Sequence, residues 1–180
     1  MMKRILLIED QKQYFNSYKE LIEEDECFEV INDAPIFDKS DVNYTTREEQ
    51  LRIIQELIDK EDYDIILCDL TLREEEEDYL IGKMNKALSI CLYSNNKQRL
   101  KELGKEFIFV TARKGWTEIQ FRKIDEMQEN DNFLKYRHSQ EMYPHCPYIN
   151  ESGKGLCGEE FCACKSDICF MKRLRRMANV

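Results

Sequence analysis

Short apolar runs alternate along the chain with longer stretches in which apolar residues recur at helical spacing. The central run, residues 63–70, is too uniformly apolar for a strand with one solvent-exposed face, so we expect helices on both sides of it. Strands that alternate with helices predict an α/β domain built on a doubly wound, five-stranded parallel sheet. The five predicted strands are residues 4–8, 28–31, 63–70, 89–93 and 107–111.

Capping signals mark the helices between these strands. Thr46 with Glu49, and Thr117 with Gln120, have the spacing of capping boxes at helix N-termini. Gly104 is expected to end the helix after the fourth predicted strand, because glycine readily adopts the left-handed conformation found at helix C-termini. Further helices are predicted at about residues 11–24 and around residues 79–84.

Acidic residues follow two of the predicted strands. Glu9 and Asp10 close the first strand, and Asp69 ends the central one. Because neighbouring parallel strands end at the same edge of a sheet, the three carboxylates are expected in one crevice. Such a cluster is hard to keep ionised without a cation, which predicts a Mg²⁺ site. The alternative is that each acid only caps the helix that follows it.

The order of these residues resembles the receiver domain of bacterial two-component response regulators, over roughly residues 1–128. In that family an acidic pair closes the first strand, a single Asp closes the third, a hydroxyl residue closes the fourth and a Lys follows the fifth. The corresponding residues here are Glu9 and Asp10, Asp69, Ser94 and Lys114. The resemblance implies a flavodoxin-like sheet with strand order 2-1-3-4-5.

The resemblance also implies a role for each of these residues. Asp69 would accept a phosphoryl group, and Mg²⁺ would be held by the three carboxylates together with the carbonyl of Thr71. Ser94 and Lys114 would contact the phosphoryl oxygens. The chemistry is coherent, since a carboxylate can attack phosphorus only where cations offset the charge on the phosphoryl oxygens.

Two parts of the chain depart from the family pattern. The sequence TLREEEED follows Asp69 and Leu70 where the family has Met-Pro and Gly, and Gly115 rather than Pro follows Lys114. Two alternatives therefore stay open: a receiver that is phosphorylated on Asp69, and a pseudo-receiver that acts without phosphorylation.

Charge is distributed unevenly along the chain. The 36 acidic and 27 basic residues give a net charge of -9. From residue 142 onward six Lys and Arg face four Asp and Glu, a charge of +2, which leaves -11 for the rest. An acidic body argues against nucleic-acid binding over the whole surface, so the basic tail is the candidate for phosphate contacts.

The location predicted from the sequence is the cytoplasm. No apolar run is long enough to span a bilayer, and the N-terminus becomes acidic too early for a signal peptide, so no membrane partner is expected. In that reducing compartment the eight cysteines are expected as thiols or metal ligands. Cys68 and Cys91 fall in predicted strands, where a thiol packs as a small apolar group.

The C-terminal tail, residues 144–180, is predicted to be a small metal-binding module, joined to the receiver-like body by a connector at residues 129–143. It has too few large apolar side chains to fold by burial alone. Zinc, an iron-sulfur cluster, and redox-active or merely packed thiols all remain open, because the spacing lacks the paired C-x2-C of common zinc sites. The candidate ligands are His145, Cys146, Cys157, Cys162, Cys164 and Cys169.

Three functions are compatible with these features. The first is a response-regulator-like signalling protein, phosphorylated by a histidine kinase or another donor, that acts on a protein target through the metal-stabilised tail. The second is a Mg²⁺-dependent phosphotransfer or hydrolytic enzyme, in which Asp10 and Asp69 bind the metal and the basic tail holds a nucleotide or nucleic acid. The third is a non-catalytic interaction module.

Overall fold

The computed structural model describes residues 1–38, 45–70, 72, 87–111, 133–135 and 166–180. The chain forms two compact units, Met1–Phe109 and Val110–Val180. The elements of the first unit are β1 (Lys3–Ile8), α1 (Lys12–Glu23), β2 (Phe28–Val30), α2 (Arg47–Lys60), β3 (Ile65–Asp69), α3 (Leu88–Glu102) and β4 (Glu106–Thr111), whose last residues belong to the second unit.

The strands of the first unit form a parallel sheet in the order β2-β1-β3-β4. β1 pairs with β2 on one side and with β3 on the other, so that Ile5 lies opposite both Val30 and Ile65. At the start of β4, the Glu106 N–H donates to the Asp64 carbonyl at 3.0 Å. The predicted α/β class and parallel sheet are confirmed, and the order of these four strands is consistent with a flavodoxin-like fold.

Burial is complete at the centre of this sheet. The side chains of Ile5 to Ile8 in β1 are at most 1% exposed, and every residue of β3 is buried. α1 packs against β1 and β2, and α2 packs against α3. Strands that are apolar on both sides need helices on both faces of a parallel sheet. α1 contributes a fully buried stripe at helical spacing, Phe15, Tyr18 and Ile22.

The start of α2 is fixed by a local signal. The Glu49 N–H donates to the Thr46 hydroxyl oxygen at 3.3 Å, as the predicted capping box requires. Glu48 and Glu49 lie in the first turn and Lys60 in the last, an arrangement that the helix dipole favours. Ile54 and Ile58 bury the apolar side of the helix. This helix is therefore specified by residues close together in the sequence.

The predicted strand at residues 89–93 was wrong, since these residues belong to α3. A short apolar run cannot be assigned to a strand or a helix by periodicity alone. The buried positions of α3 include Ser89, Leu92, Asn96 and Leu100, which follow helical spacing. Because Asn96 is polar but only 1% exposed, it hid this stripe in the sequence pattern.

The correction changes the numbering of the strands that follow. The predicted fifth strand, residues 107–111, is present as β4. Gly104 has a φ of 65° just after α3, so the predicted glycine cap is confirmed at the end of this longer helix. The helices predicted around residues 79–84 and after Thr117 lie outside the described residues.

The described part of the second unit contains a short strand and a helix besides the end of β4. β5 (Phe133–Lys135) falls in the stretch predicted as a connector, and α4 (Ser166–Met177) contacts it. Phe170 and Leu174 of α4 are fully buried, whereas Arg175 and Arg176 are exposed. The predicted division at residues 128 and 143 stays a prediction.

No helix in the part of the chain that the structure describes is both long enough and apolar enough to cross a membrane.

The buried centre of the sheet should dominate stability. Leu67 in β3 is 0% exposed, so we expect Leu67→Ala to lower the free energy of unfolding by about 2–5 kcal/mol. Leu103, which is 56% exposed after α3, offers a matched control, and Leu103→Ala should change that free energy by no more than about 0.5 kcal/mol. Urea denaturation measures both variants, and equal losses would contradict this description of the core.

Candidate functional site

Three carboxylates meet at the carboxyl edge of the sheet. Glu9 and Asp10 directly follow β1, and Asp69 is the last residue of β3. One oxygen of each lies within 4.8 Å of the other two, and the three residues are only 3–4% exposed. The cluster predicted from the sequence is therefore present as a compact, buried group.

The register of two strands brings these acids together. Ile8 in β1 lies opposite Cys68 in β3, so the next residues along the two strands are Glu9 and Asp69. A slip of one residue would turn one of these side chains to the other face of the sheet. The β1–β3 pairing thus determines the position of the site.

The backbone after β1 holds Glu9 in place. The Gln11 N–H donates to Glu9 Oε1 at 2.9 Å, just before α1 begins. This contact partly agrees with the alternative that the acids serve the following helix. The alternative does not account for the cluster, because Asp69 comes from a different strand.

A side chain from the end of β2 also supports this edge of β1. The Asn32 amide pairs with both backbone groups of Leu7: its Oδ1 accepts from the Leu7 N–H at 3.0 Å, and its Nδ2 donates to the Leu7 carbonyl at 2.9 Å. The amide thus continues the sheet hydrogen bonding beyond Val30. Sequence analysis missed this role, and the only signal was an Asn directly after a predicted strand.

A second missed residue lies beside the end of β3. The Ser89 hydroxyl, near the start of α3, donates to the Leu70 carbonyl at 2.7 Å, and both residues are 0% exposed. Leu70 is the neighbour of Asp69 in the chain. The assignment of residues 89–93 to a strand concealed this contact.

Burial raises the free energy of the charged carboxylates at this site. Burial and, to a smaller extent, the nearby charge of Asp69 together raise the pKa of Glu9 to about 10, against an opposing effect of the Gln11 N–H. Without a cation, Glu9 is therefore protonated at neutral pH. Burial, with the charge of Asp69, also raises the pKa of Cys68 well above its ordinary value, so this thiol is neutral.

The donor set fits a hard divalent cation. All three groups supply carboxylate oxygens, the ligands that Mg²⁺ and Ca²⁺ prefer, whereas zinc favours thiolate and imidazole. A bound cation would favour the ionised form of Glu9 and so compensate the cost of its burial. The site can therefore hold such an ion through Glu9, Asp10 and Asp69, with water completing the shell.

The remaining predicted residues have different outcomes. Ser94 lies within α3, so it does not close a strand as predicted. The predicted phosphoryl contact of Ser94 assumed a position at a strand end. Thr71 and Lys114 lie outside the described residues. In the tail, Cys169 falls in α4, and the other candidate ligands, His145, Cys146, Cys157, Cys162 and Cys164, lie outside the described residues.

No protein-family model matches this chain, and comparison with the curated proteins and with the solved structures found no significant match. The functional interpretation therefore depends on the fold and on the geometry of the site.

Neutralising Glu9 should stabilise the protein when no divalent cation is present. The folded-state pKa of about 10 lies above the ordinary value of 4.5, so the wild type loses stability as pH rises from 4.5 towards 10. Glutamine does not titrate and keeps an oxygen for the Gln11 N–H. We expect Glu9→Gln to raise the free energy of unfolding by about 1 kcal/mol or more at pH 7, and by less at pH 5.

Denaturation with a chelator at several pH values measures this effect. Glu49→Gln is a suitable control, because a hydrogen bond from Arg52 lowers the pKa of this exposed carboxyl and its neutralisation should bring no gain. A Glu9→Gln effect that does not grow between pH 5 and pH 7 would show that Glu9 is not buried beside Asp69.

Proposed function

We propose that this chain is a receiver-like signalling protein of the cytoplasm, in which Asp69 accepts a phosphoryl group at a divalent-cation site. The observation that carries the proposal is the convergence of three buried carboxylates at the carboxyl edge of a parallel sheet. Open α/β sheets bind their ligands at this edge. The strand order β2-β1-β3-β4 gives further support.

The proposed reaction is a displacement at phosphorus. An oxygen of Asp69 forms a bond to the phosphorus of the donor, and the bond from phosphorus to the leaving group breaks with its electron pair on the leaving group. A divalent cation at this site would supply positive charge next to the phosphoryl oxygens. Glu9 and Asp10 would hold that cation, which would leave one Asp69 oxygen for the attack.

A hydroxyl and a lysine complete the proposed group of residues. The resemblance gives the phosphoryl contacts to Ser94 and Lys114. Ser94 lies within α3, and Lys114 lies outside the described residues. We propose Lys114 as the cation that contacts the phosphoryl oxygens, with Ser94 to be tested beside it.

The proposal also includes a phosphoryl donor and a part of the chain that passes the signal on. A histidine kinase or a small acyl phosphate would supply the phosphoryl group. The cysteine-rich tail, stabilised by zinc or an iron-sulfur cluster, would carry the response to a protein target. Exposed Arg175 and Arg176 on α4 make a nucleic-acid target a further option for the tail.

Phosphorylation is the direct test of the proposed site. With acetyl phosphate and Mg²⁺, intact-mass spectrometry should show the gain of one phosphoryl group in the wild type and none in Asp69→Asn. Asp10→Asn should need a much higher Mg²⁺ concentration, because one of three ligands loses its charge. Lys114→Ala should leave Mg²⁺ bound but slow the reaction, because a positive charge near the phosphoryl oxygens is lost.

The same assay separates the competing functions. A hydrolytic or phosphotransfer enzyme would consume the donor, or a nucleotide, while its own mass stays unchanged. A pseudo-receiver or a pure interaction module would show neither a mass gain nor an amide NMR response to beryllofluoride. Either result would overturn phosphorylation of Asp69.

The tail should contain a tightly bound metal. Ordering a residue costs about 1–2 kcal/mol, and a structural metal can contribute on the order of 10 kcal/mol. We expect about one zinc ion or one iron-sulfur cluster per chain by elemental analysis and absorbance, held by four of His145, Cys146, Cys157, Cys162, Cys164 and Cys169.

Serine substitutions test the assignment of the tail ligands. Cys157→Ser together with Cys162→Ser should release the metal, whereas Cys27→Ser, at a half-buried free thiol in the first unit, should retain it. An anaerobic metal-free preparation whose tail shows strong hydrogen-exchange protection would contradict the prediction.

A further inference from the structure

The hydrogen bond from Ser89 to Leu70 links α3 to the strand end that carries Asp69. The Ser89 hydroxyl donates to the Leu70 carbonyl at 2.7 Å, and both residues are fully buried. Water cannot replace either hydrogen-bond partner at these buried positions. Separating the hydroxyl from the carbonyl would therefore cost free energy, so the two groups are expected to move together. A displacement of the peptide after Asp69 therefore acts directly on α3.

Three polar pairs hold α3 against α2, and we name them the α2–α3 seam. Arg47 donates to the Cys91 sulfur at 3.1 Å. The amides of Gln55 and Asn96 bond to each other in both directions, each at 2.8 Å. The third pair is the ion pair between Arg99 and Asp59. The pairs occur in the same order along both helices, so the seam runs the length of α3.

This seam fixes the register of α3 more strongly than apolar contacts would. Apolar side chains tolerate small displacements, whereas an amide pair keeps its energy only over a narrow range of distance and angle. Asn96 is 1% exposed and also donates to the Leu92 carbonyl at 2.8 Å, so its amide has defined partners in this register. A shift of α3 along α2 would break the three pairs together.

One buried group of α2 is not satisfied in this arrangement. Gln50 lies on the buried side of α2 and is 1% exposed, and within the described part of the chain its Nε2 has no hydrogen-bond partner. A buried donor without a partner raises the free energy of the conformation that contains it. The unsatisfied amide therefore reduces the free-energy difference between the observed register of α3 and another register in which the Gln50 amide is hydrogen-bonded.

We infer that Ser89 is a positioning residue that couples the acidic site to α3, so that cation binding or phosphorylation at Asp69 shifts α3 along the α2–α3 seam. This inference rests on the proposed function. Ligand binding at Glu9, Asp10 and Asp69 changes the charge at the end of β3 and moves the Leu70 peptide, and Ser89 transmits the displacement.

Coupling of this kind has to act in both directions. If cation binding at the site changes the stability of the seam pairs, then weakening those pairs changes the affinity of the site for the cation. The coupling free energy is the same in both directions. Gln55 is half-buried and distant in sequence from the three carboxylates, so Gln55→Ala perturbs the seam without altering a ligand. A change in Mg²⁺ affinity in this variant would be evidence of linkage between the two.

Amide NMR of the full chain, titrated with Mg²⁺ and then with beryllofluoride, tests the inference. In the wild type we expect shifts at Glu9, Asp10 and Asp69, and also along α3 as far as Arg99. In Ser89→Ala the shifts near the carboxylates should remain, those along α3 should be lost, and Mg²⁺ affinity should change by roughly 5-fold or more.

Two matched controls separate coupling from general destabilisation. Ser17→Ala removes an exposed hydroxyl that donates to the Gln13 carbonyl at 2.9 Å, and it should leave both readouts unchanged. Gln98→Ala removes an exposed amide on α3 that bonds to Glu102, and it is the control for Gln55→Ala. Gln55→Ala should alter Mg²⁺ affinity, and Gln98→Ala should not.

The outcomes distinguish this inference from the proposed function. If the wild type shows no shift at the three carboxylates with either ligand, both are overturned. If those shifts occur but α3 does not respond, or if Ser89→Ala behaves like Ser17→Ala, the coupling alone is overturned. Should Ser89→Ala fail to fold, the Gln55→Ala and Gln98→Ala pair decides, since equal Mg²⁺ affinities in the two would exclude the coupling.

Discussion

The parallel pairing of β1 with β3 is the constraint on which the rest of the first unit depends. Four consecutive residues of each strand lie in register, from Ile5 opposite Ile65 to Ile8 opposite Cys68. Both strands are buried on both faces, so helices have to cover the sheet on each side. The same register brings Glu9 and Asp69 to one edge, which makes the hydrophobic core and the candidate site consequences of one pairing.

The buried carboxyl groups of the site lower the stability of the fold that positions them. Carboxyl groups at 3–4% exposure lose hydration, and the pKa of about 10 for Glu9 expresses that cost together with repulsion from Asp69. A similar compromise occurs in α3, where Ser89 and Asn96 are buried with their hydrogen bonds satisfied. Buried polar groups of this kind commonly occur where a fold serves a function as well as its own stability.

The sequence by itself determined the features that depend on neighbouring residues. The apolar runs of β1, β3 and β4, the stripe of α1, the Thr46 cap of α2 and the Gly104 cap of α3 were all predicted, because each follows from local periodicity or backbone preference. The cluster of three acids was predicted as well, since residues that end neighbouring parallel strands have to meet at one edge.

Only the tertiary structure decided the features that depend on contacts distant in sequence. Residues 89–93 are part of α3, whose buried positions include the polar Asn96, and Asn96 finds its partner in Gln55 on another helix. The roles of Ser89 and Asn32 arise from their bonds to Leu70 and Leu7, which no local pattern encodes. The protonation of Glu9 likewise depends on burial and on the charge of Asp69, and both exist only once β1 and β3 have paired.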